Sequence, residues 1–164
     1  MVGLGALGLP IAVNLRRAGY RLNVHTRSRA AESAAKLLDD QGPTVTSSSS
    51  PDEAVGSCQA LLICVSDDSA VQDVLWGDNG AGFALAPGSL VIDCSTIAPA
   101  TAEAMAKRLA KRNVQYIDAP VTGGTEGAQA GTLTVLCGGD TMTLEQARPL
   151  LAVINDSKNN KDFE

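Results

Sequence analysis

Glycines stand at positions 3, 5 and 8, in the run Gly3-Leu4-Gly5-Ala6-Leu7-Gly8. That spacing suits a tight turn that brings backbone N–H groups up to an anion. Gly5, without a Cβ, lets the main chain approach a phosphate, and Gly8 lets the following helix pack closely on the strand before it. The unpaired N–H groups and the positive end of the helix dipole supply the attraction. A glycine turn also arises for structural reasons alone, so its context decides. Here Leu9–Ala18 reads as a helix, with Ile11, Leu15 and Ala18 on one face, Pro10 in its first turn and Gly19 just past its end. Tyr20–Thr26 reads as the next strand. Glycine turn, helix and strand in that order predict a pyrophosphate site, with Gly3, Leu4, Gly5, Ala6, Leu7 and Gly8 as its cradle.

The end of the second strand bears on which dinucleotide would bind. NAD-selective sites usually place Asp or Glu about 20 residues beyond the glycines, to hold the ribose 2′-OH. The run Val24-His25-Thr26-Arg27-Ser28-Arg29 holds no acid. Arg27 or Arg29 can instead pair with a 2′-phosphate through the guanidinium fork, which favours NADP(H) and leaves NAD(H) possible. The alternative is that both arginines are solvated surface residues. A second anion pocket is expected at Thr122-Gly123-Gly124, where a hydroxyl and two glycines follow a strand and can present converging donors. A turn that needs positive φ explains the same glycines.

Strands and helices alternate along the rest of the chain. Arg29–Asp40 has the spacing of an amphipathic helix, and Val45 lies in a short β-prone piece. Ser47–Ser50 reads as a solvated loop. Ser50-Pro51-Asp52-Glu53 reads as a capping box, with Ser50 as N-cap. Ala60–Val65 is a continuous apolar run, as a strand covered on both faces should be. Ser69–Leu75 reads as a helix, Gly77–Gly88 as a surface connection and Leu90–Ile92 as a buried strand. Pro99–Arg112 reads as a helix and Val114–Ile117 as a strand. Pro120–Thr132 reads as a glycine-rich loop, Leu133–Cys137 as a strand and Leu144–Leu151 as a helix. The alternation predicts an α/β fold, a doubly wound, mostly parallel sheet wrapped by helices. One domain is expected over residues 1–154, with a polar tail over 155–164. Only Met1 and Val2 precede Gly3, whereas a strand needs about five residues. The first strand is therefore expected to be largely missing, with its neighbours' edges exposed.

Composition narrows the function. The 164 residues are 45% hydrophobic and 19% charged, as in a globular domain, and only 3% aromatic, so aliphatic side chains must fill the core. A net charge of −5 and a pI near 4.8 argue against a bulk electrostatic nucleic-acid binder. The cysteines at 58, 64, 94 and 137 form no CxxC pair, and one histidine, His25, cannot complete a zinc set, so no metal site is expected. Cys64 and Cys94 sit in apolar runs as small core residues, which fits a reducing compartment. No apolar stretch reaches the roughly 20 residues of a membrane helix, and the N-terminus lacks the pattern of a signal peptide. The cytoplasm is the expected location.

Three segments together resemble one family. Gly3–Pro10 with Ala12, Asn14-Leu15 and Ala18-Gly19 is similar to the opening of the β-hydroxyacid dehydrogenases, which include 3-hydroxyisobutyrate dehydrogenase and tartronate semialdehyde reductase. Asp93-Cys94-Ser95-Thr96-Ile97-Ala98-Pro99 resembles their second motif. Asp118–Gly124, followed by Gly127-Ala128 and Gly131-Thr132-Leu133, resembles their third. The resemblance runs from residue 1 to about 154 and implies a Rossmann-type cofactor domain. It implies that Thr96 contacts the nicotinamide half of the cofactor and that Val65 and Ser66 line the same crevice. Ser66 stands where relatives often carry Pro. It also implies that Thr122, Gly123 and Gly124 hold a substrate carboxylate. Thr122 replaces the usual Ser, keeping the hydroxyl and adding a methyl. Relatives are homo-oligomeric and carry a second, all-helical domain whose lysine moves the proton in hydride transfer. That helical domain is expected to be absent here. Lys158 and Lys161 follow Leu151 too closely to be that lysine, and no catalytic residue is assigned. The chain is thus expected to bind NADP(H), as part of an oxidoreductase acting on a small hydroxyacid or semialdehyde, and to be poorly active alone. A non-catalytic dinucleotide-binding module and a non-functional gene remnant are the alternatives.

Overall fold

The computed structural model describes residues 1–27 and 43–155. Arg29, the helix expected over Arg29–Asp40 and the tail beyond Asn155 lie outside the described residues. In chain order the elements are α1 (Gly8–Arg17), β1 (Leu22–Val24), β2 (Val45–Ser47), α2 (Pro51–Ala54), β3 (Ala60–Ile63), α3 (Asp68–Trp76), α4 (Ala81–Ala84) and β4 (Leu90–Asp93). They continue with α5 (Pro99–Ala110), β5 (Gln115–Asp118), β6 (Val121–Thr122), α6 (Gly124–Ala130), β7 (Thr134–Val135) and α7 (Thr141–Ile154).

β1 pairs with β2, and β3 with β4 and β4 with β5, all parallel. Val2 joins the two groups through parallel bridges to His25 and Ile63. The Val2 N–H donates to Leu62 O at 2.9 Å, and Val2 O accepts from the Cys64 N–H at 3.0 Å. On its other side the His25 N–H donates to Met1 O and the Gly3 N–H to His25 O. The order is therefore β2-β1-Val2-β3-β4-β5, that of a doubly wound Rossmann sheet. Its central position is held by Val2, flanked by Met1 and Gly3, and the neighbouring edges expected to be exposed are instead paired there, at His25 and at Leu62–Cys64.

Strand side chains alternate between two cores. Leu62, Ile92 and Ile117 pack with Ile11 and Leu15 of α1 and with Leu151 and Ile154 of α7. Leu61, Ile63 and Val91 pack with Val71 and Leu75 of α3 and with Met105 and Leu109 of α5. Each such side chain contributes about 1.5–3 kcal/mol relative to exposure. The exposed ion pairs Lys107–Glu103 and Arg148–Glu145 contribute well under that, so burial on both faces holds the sheet.

Three local readings are corrected. Pro120–Thr132 is not all loop: β6 pairs antiparallel with β7, and α6 forms between them. Helix α6 is held from outside, by burial of Ala128 and by the Asn14 Nδ2 donor of α1, which reaches Ala128 O at 2.8 Å. Gly77–Gly88 contains α4, whose Ala81 and Gly82 are buried. The capping box does not close on Ser50. The Ser50 hydroxyl donates to Asp52, and Glu53 Oε2 accepts instead from the Ser49 N–H and hydroxyl, at 3.0 and 2.7 Å.

Candidate functional site

A cleft of about 920 Å³ opens where Val2, β1 and β3 end. Its floor is Gly3–Gly8. One wall comes from His25–Arg27 and Ser49–Pro51, the other from Cys64–Ser66 and the cleft-facing side of α3 with Gly77–Asn79. This is the carboxyl end of a parallel sheet at the point where strand order reverses, where open α/β sheets bind ligands.

The glycines of the turn differ in what requires them. A Cβ on Gly3, which has φ +92°, would lie 2.1 Å from Cys64 O, and one on Gly8 would lie 2.0 Å from Gly3 O. Those two are fixed by the fold itself. A Cβ on Gly5 would meet nothing within 4 Å. Nothing in the polypeptide demands glycine there, whereas a group seated over the turn would. The start of α1 fits that group. Its N-cap, Leu7, offers no side-chain acceptor, and its first turn holds no acid. By contrast Asp67 caps α3, accepting from the Ala70 N–H at 2.9 Å, and Asp140 caps α7. In the first turn of α1 the Leu9 N–H is taken by Gly5 O at 3.1 Å and Pro10 has no N–H, so an anion there would meet the Gly8 N–H and the amides of the turn before it, with no competing carboxylate.

Gly3, Leu4, Gly5, Ala6, Leu7, Gly8, Arg27, Val65 and Ser66 thus come together around one cleft. Thr96, Thr122, Gly123 and Gly124 do not line it. Thr96 is exposed beyond β4, and the other three are exposed where β6 meets α6. All lie past the carboxyl ends of the parallel strands. Gly123 and Gly124 adopt φ of 128° and 65°, so their backbone alone accounts for glycine. The Ser66 hydroxyl is engaged, donating to Asp67 Oδ2 at 2.6 Å. That bond, with the Ala70 amide, holds the Asp67 carboxyl below its usual range.

The motifs did not reveal what ties the cleft to Thr96. Asp93 is fully buried, and its Oδ1 accepts from the Ser95 N–H at 3.0 Å while its Oδ2 accepts from the Tyr116 hydroxyl at 3.1 Å. Ser95 Oγ in turn accepts from the Val65 N–H at 3.0 Å. The ends of β3, β4 and β5 are cross-tied in this way beneath Val65 and Thr96. Burial raises the Asp93 pKa against the pull of these bonds, and burial with Asp93 nearby raises that of Asp118. Burial pushes the Cys64 thiol up to about 11, so it is no nucleophile near neutrality. Cys94 is buried, as expected, and Cys64 half-buried. Among the described residues no His, Cys, Asp and Glu group could hold a metal ion, and no helix is long and apolar enough to cross a membrane.

Comparison with known proteins matches this geometry. The chain is 40% identical over 149 residues to the NAD-dependent L-serine dehydrogenase of Pseudomonas aeruginosa, covering 91% of this chain and 48% of that protein. The solved structure of Mycobacterium tuberculosis 3-hydroxyisobutyrate dehydrogenase with L-serine superposes with a TM-score of 0.85 at 30% identity, over 94% of this chain and 50% of that one. Psf3 in complex with NADP+ and 2-OPP superposes with the same TM-score of 0.85 at 34% identity, over 94% of this chain and 53% of that one. The chain therefore spans about half the length of these relatives. The model of the NAD-binding domain of 6-phosphogluconate dehydrogenase matches residues 1–159. A Rossmann sheet with a glycine turn beneath its cleft, matched over nearly its whole length, places this chain in the family of NAD-binding domains typified by 6-phosphogluconate dehydrogenase.

Proposed function

We propose that this chain is the cofactor-binding domain of an oxidoreductase that interconverts a small β-hydroxyacid and its semialdehyde or oxo acid, with NADP(H) preferred over NAD(H). The observation that carries it is the open space over Gly5 at the uncapped start of α1. The names of the relatives, a serine dehydrogenase and a 3-hydroxyisobutyrate dehydrogenase, support the substrate class. Arg27 at the cleft, with no acid in Val24–Arg27 at and just beyond the end of β1, supports the 2′-phosphate, as does the relative whose structure is in complex with NADP+.

In this reading the turn Gly3–Gly8 would hold the pyrophosphate through the amides that follow Gly3, whose own N–H is committed to His25 O, and Arg27 would hold the 2′-phosphate. Val65, Ser66 and Thr96 flank the nicotinamide, and Thr122, Gly123 and Gly124 hold the substrate carboxylate. A dinucleotide held there would supply or accept the hydride. Asp93 moves no proton, because both its oxygens are committed to Ser95 and Tyr116. It orients the end of β4 instead. The developing alkoxide needs a proton donor, and no described residue takes that role. The 164-residue chain by itself is thus proposed to bind cofactor and to turn over little.

Fluorescence titration with NADPH and NADH tests this, with energy transfer from Trp76 as the readout. NADPH is expected to bind more tightly. Equal or tighter NADH refutes the preference, and binding of neither refutes the dinucleotide reading. Turnover of NADP+ with short β-hydroxyacids near the rate of full-length relatives would sink the half-site reading.

A further inference from the structure

Arg27 has a partner across the cleft. Its Nη1 lies 4.0 Å from Asp73 Oδ2, and both residues line the cleft, Arg27 just beyond β1 and Asp73 on α3. Asp73 is held there by helical geometry. Ala70, Asp73 and Val74, spaced i, i+3 and i+4, form the strip of α3 that lines the cleft. Ala70 and Val74 are buried, while Asp73 is 65% exposed at the rim of that strip. Asp78 lines the same side, and Arg27 is the one Lys or Arg among the described lining residues.

A carboxylate here opposes the proposed cofactor chemistry. A 2′-phosphate that takes Arg27 must share the guanidinium with Asp73 and sit near a like charge. A 2′-hydroxyl meets no such repulsion and can donate to the carboxylate. We propose that Asp73 is a specificity-determining residue: its carboxylate competes with the 2′-phosphate for Arg27 and holds the preference for NADP(H) below what Arg27 alone would give. The inference rests on the proposed assignment of Arg27 to the ribose 2′-position.

The size follows from exposure. A solvated pair at this distance is weak, so removing its charge changes a dissociation constant by about two- to fivefold. The test uses the full chain and its Asp73→Asn and Asp73→Lys variants, titrated with NADPH and NADH at low salt. Asp73→Asn is expected to tighten NADPH about two- to fivefold while NADH changes by less than twofold or weakens. Asp73→Lys is expected to extend the trend, and both gains shrink as salt screens the charges. NADPH and NADH moving by the same factor, or weaker NADPH binding in Asp73→Asn, overturns the inference. If the wild-type chain binds NADPH no better than NADH, the assignment of Arg27 fails first, and that arm separates the two failures. Melting temperatures within about 2 °C of wild type are expected for these surface changes, so affinity and not folding is read.

Discussion

Gly5→Ala and Gly8→Ala separate what the fold needs from what a ligand needs. The two glycines sit three residues apart in one turn. A Cβ at position 8 would lie 2.0 Å from Gly3 O, a backbone atom that cannot swing aside. The turn must shift by more than an ångström, and forced repacking of this kind costs about 1–3 kcal/mol. For a domain of this size that lowers Tm by about 2–12 °C. A Cβ at position 5 meets nothing within 4 Å, and its φ lies outside the left-handed region. There alanine removes unfolded-chain entropy at no steric cost, so stability is expected to rise by about 0.4–1 kcal/mol. Binding reverses the ranking. If the Gly5 region seats a pyrophosphate, the new methyl displaces one charge-assisted hydrogen bond worth about 1.5–3 kcal/mol, and affinity falls by about 10- to 100-fold. Thermal melts by circular dichroism and NADPH titration by fluorescence read the two effects separately. A Gly5→Ala chain that melts as low as Gly8→Ala refutes the open space. One that melts normally and binds NADPH as tightly as wild type refutes the phosphate cradle.

The buried network and the raised carboxyls yield two more expectations. Asp93→Ala strands the Tyr116 hydroxyl and the Ser95 N–H in the interior, and a loss of about 2–4 kcal/mol is expected in urea unfolding; a loss under 0.5 kcal/mol would show that the network is dispensable. Asp118 has a folded pKa raised by burial first and by Asp93 second, so the folded state binds its proton more tightly than the unfolded state, whose value is near 3.8. Its stabilising contribution is therefore complete below pH 3.8 and is lost as pH rises through the folded value. Asp118→Asn should thus gain stability relative to wild type as pH rises from 3.5 to 7, and a difference that is constant with pH, or that grows toward acid, contradicts the sign.

The parts legible in sequence were those where local pattern and tertiary role agree. Ala60–Val65 is apolar throughout because the sheet is covered on both faces, and β3 follows that run. Gly3, Gly5 and Gly8 announce a turn, and the cleft is there. Helix α6 was illegible because GTEGAQA is a poor helix by itself, with Gly124 and Gly127 inside it. What holds it, Asn14 of α1, lies 114 residues away in sequence. The Ser95–Asp93–Tyr116 tie was hidden for the same reason: Asp93 and Tyr116 are 23 residues apart and meet only when β4 pairs with β5. Asp73 gave no signal, since a carboxylate on a helix is usually just solvated.

Val2 has a mechanical consequence. Among the described residues, the two halves of the sheet, β2-β1 and β3-β4-β5, are sewn together along the main chain by the hydrogen bonds around this one position. The same halves are also joined through their side chains, since Val24 of β1 and Leu62 of β3 lie in one core with Ile11 and Leu15 of α1. Arg27 belongs to one half, and Val65 and Ser66 to the other. Any molecule that touches both spans that join, so its occupancy would add to the ties that Val2 and the shared core already supply. Ligand affinity and the internal cohesion of the fold are then one quantity measured in two ways.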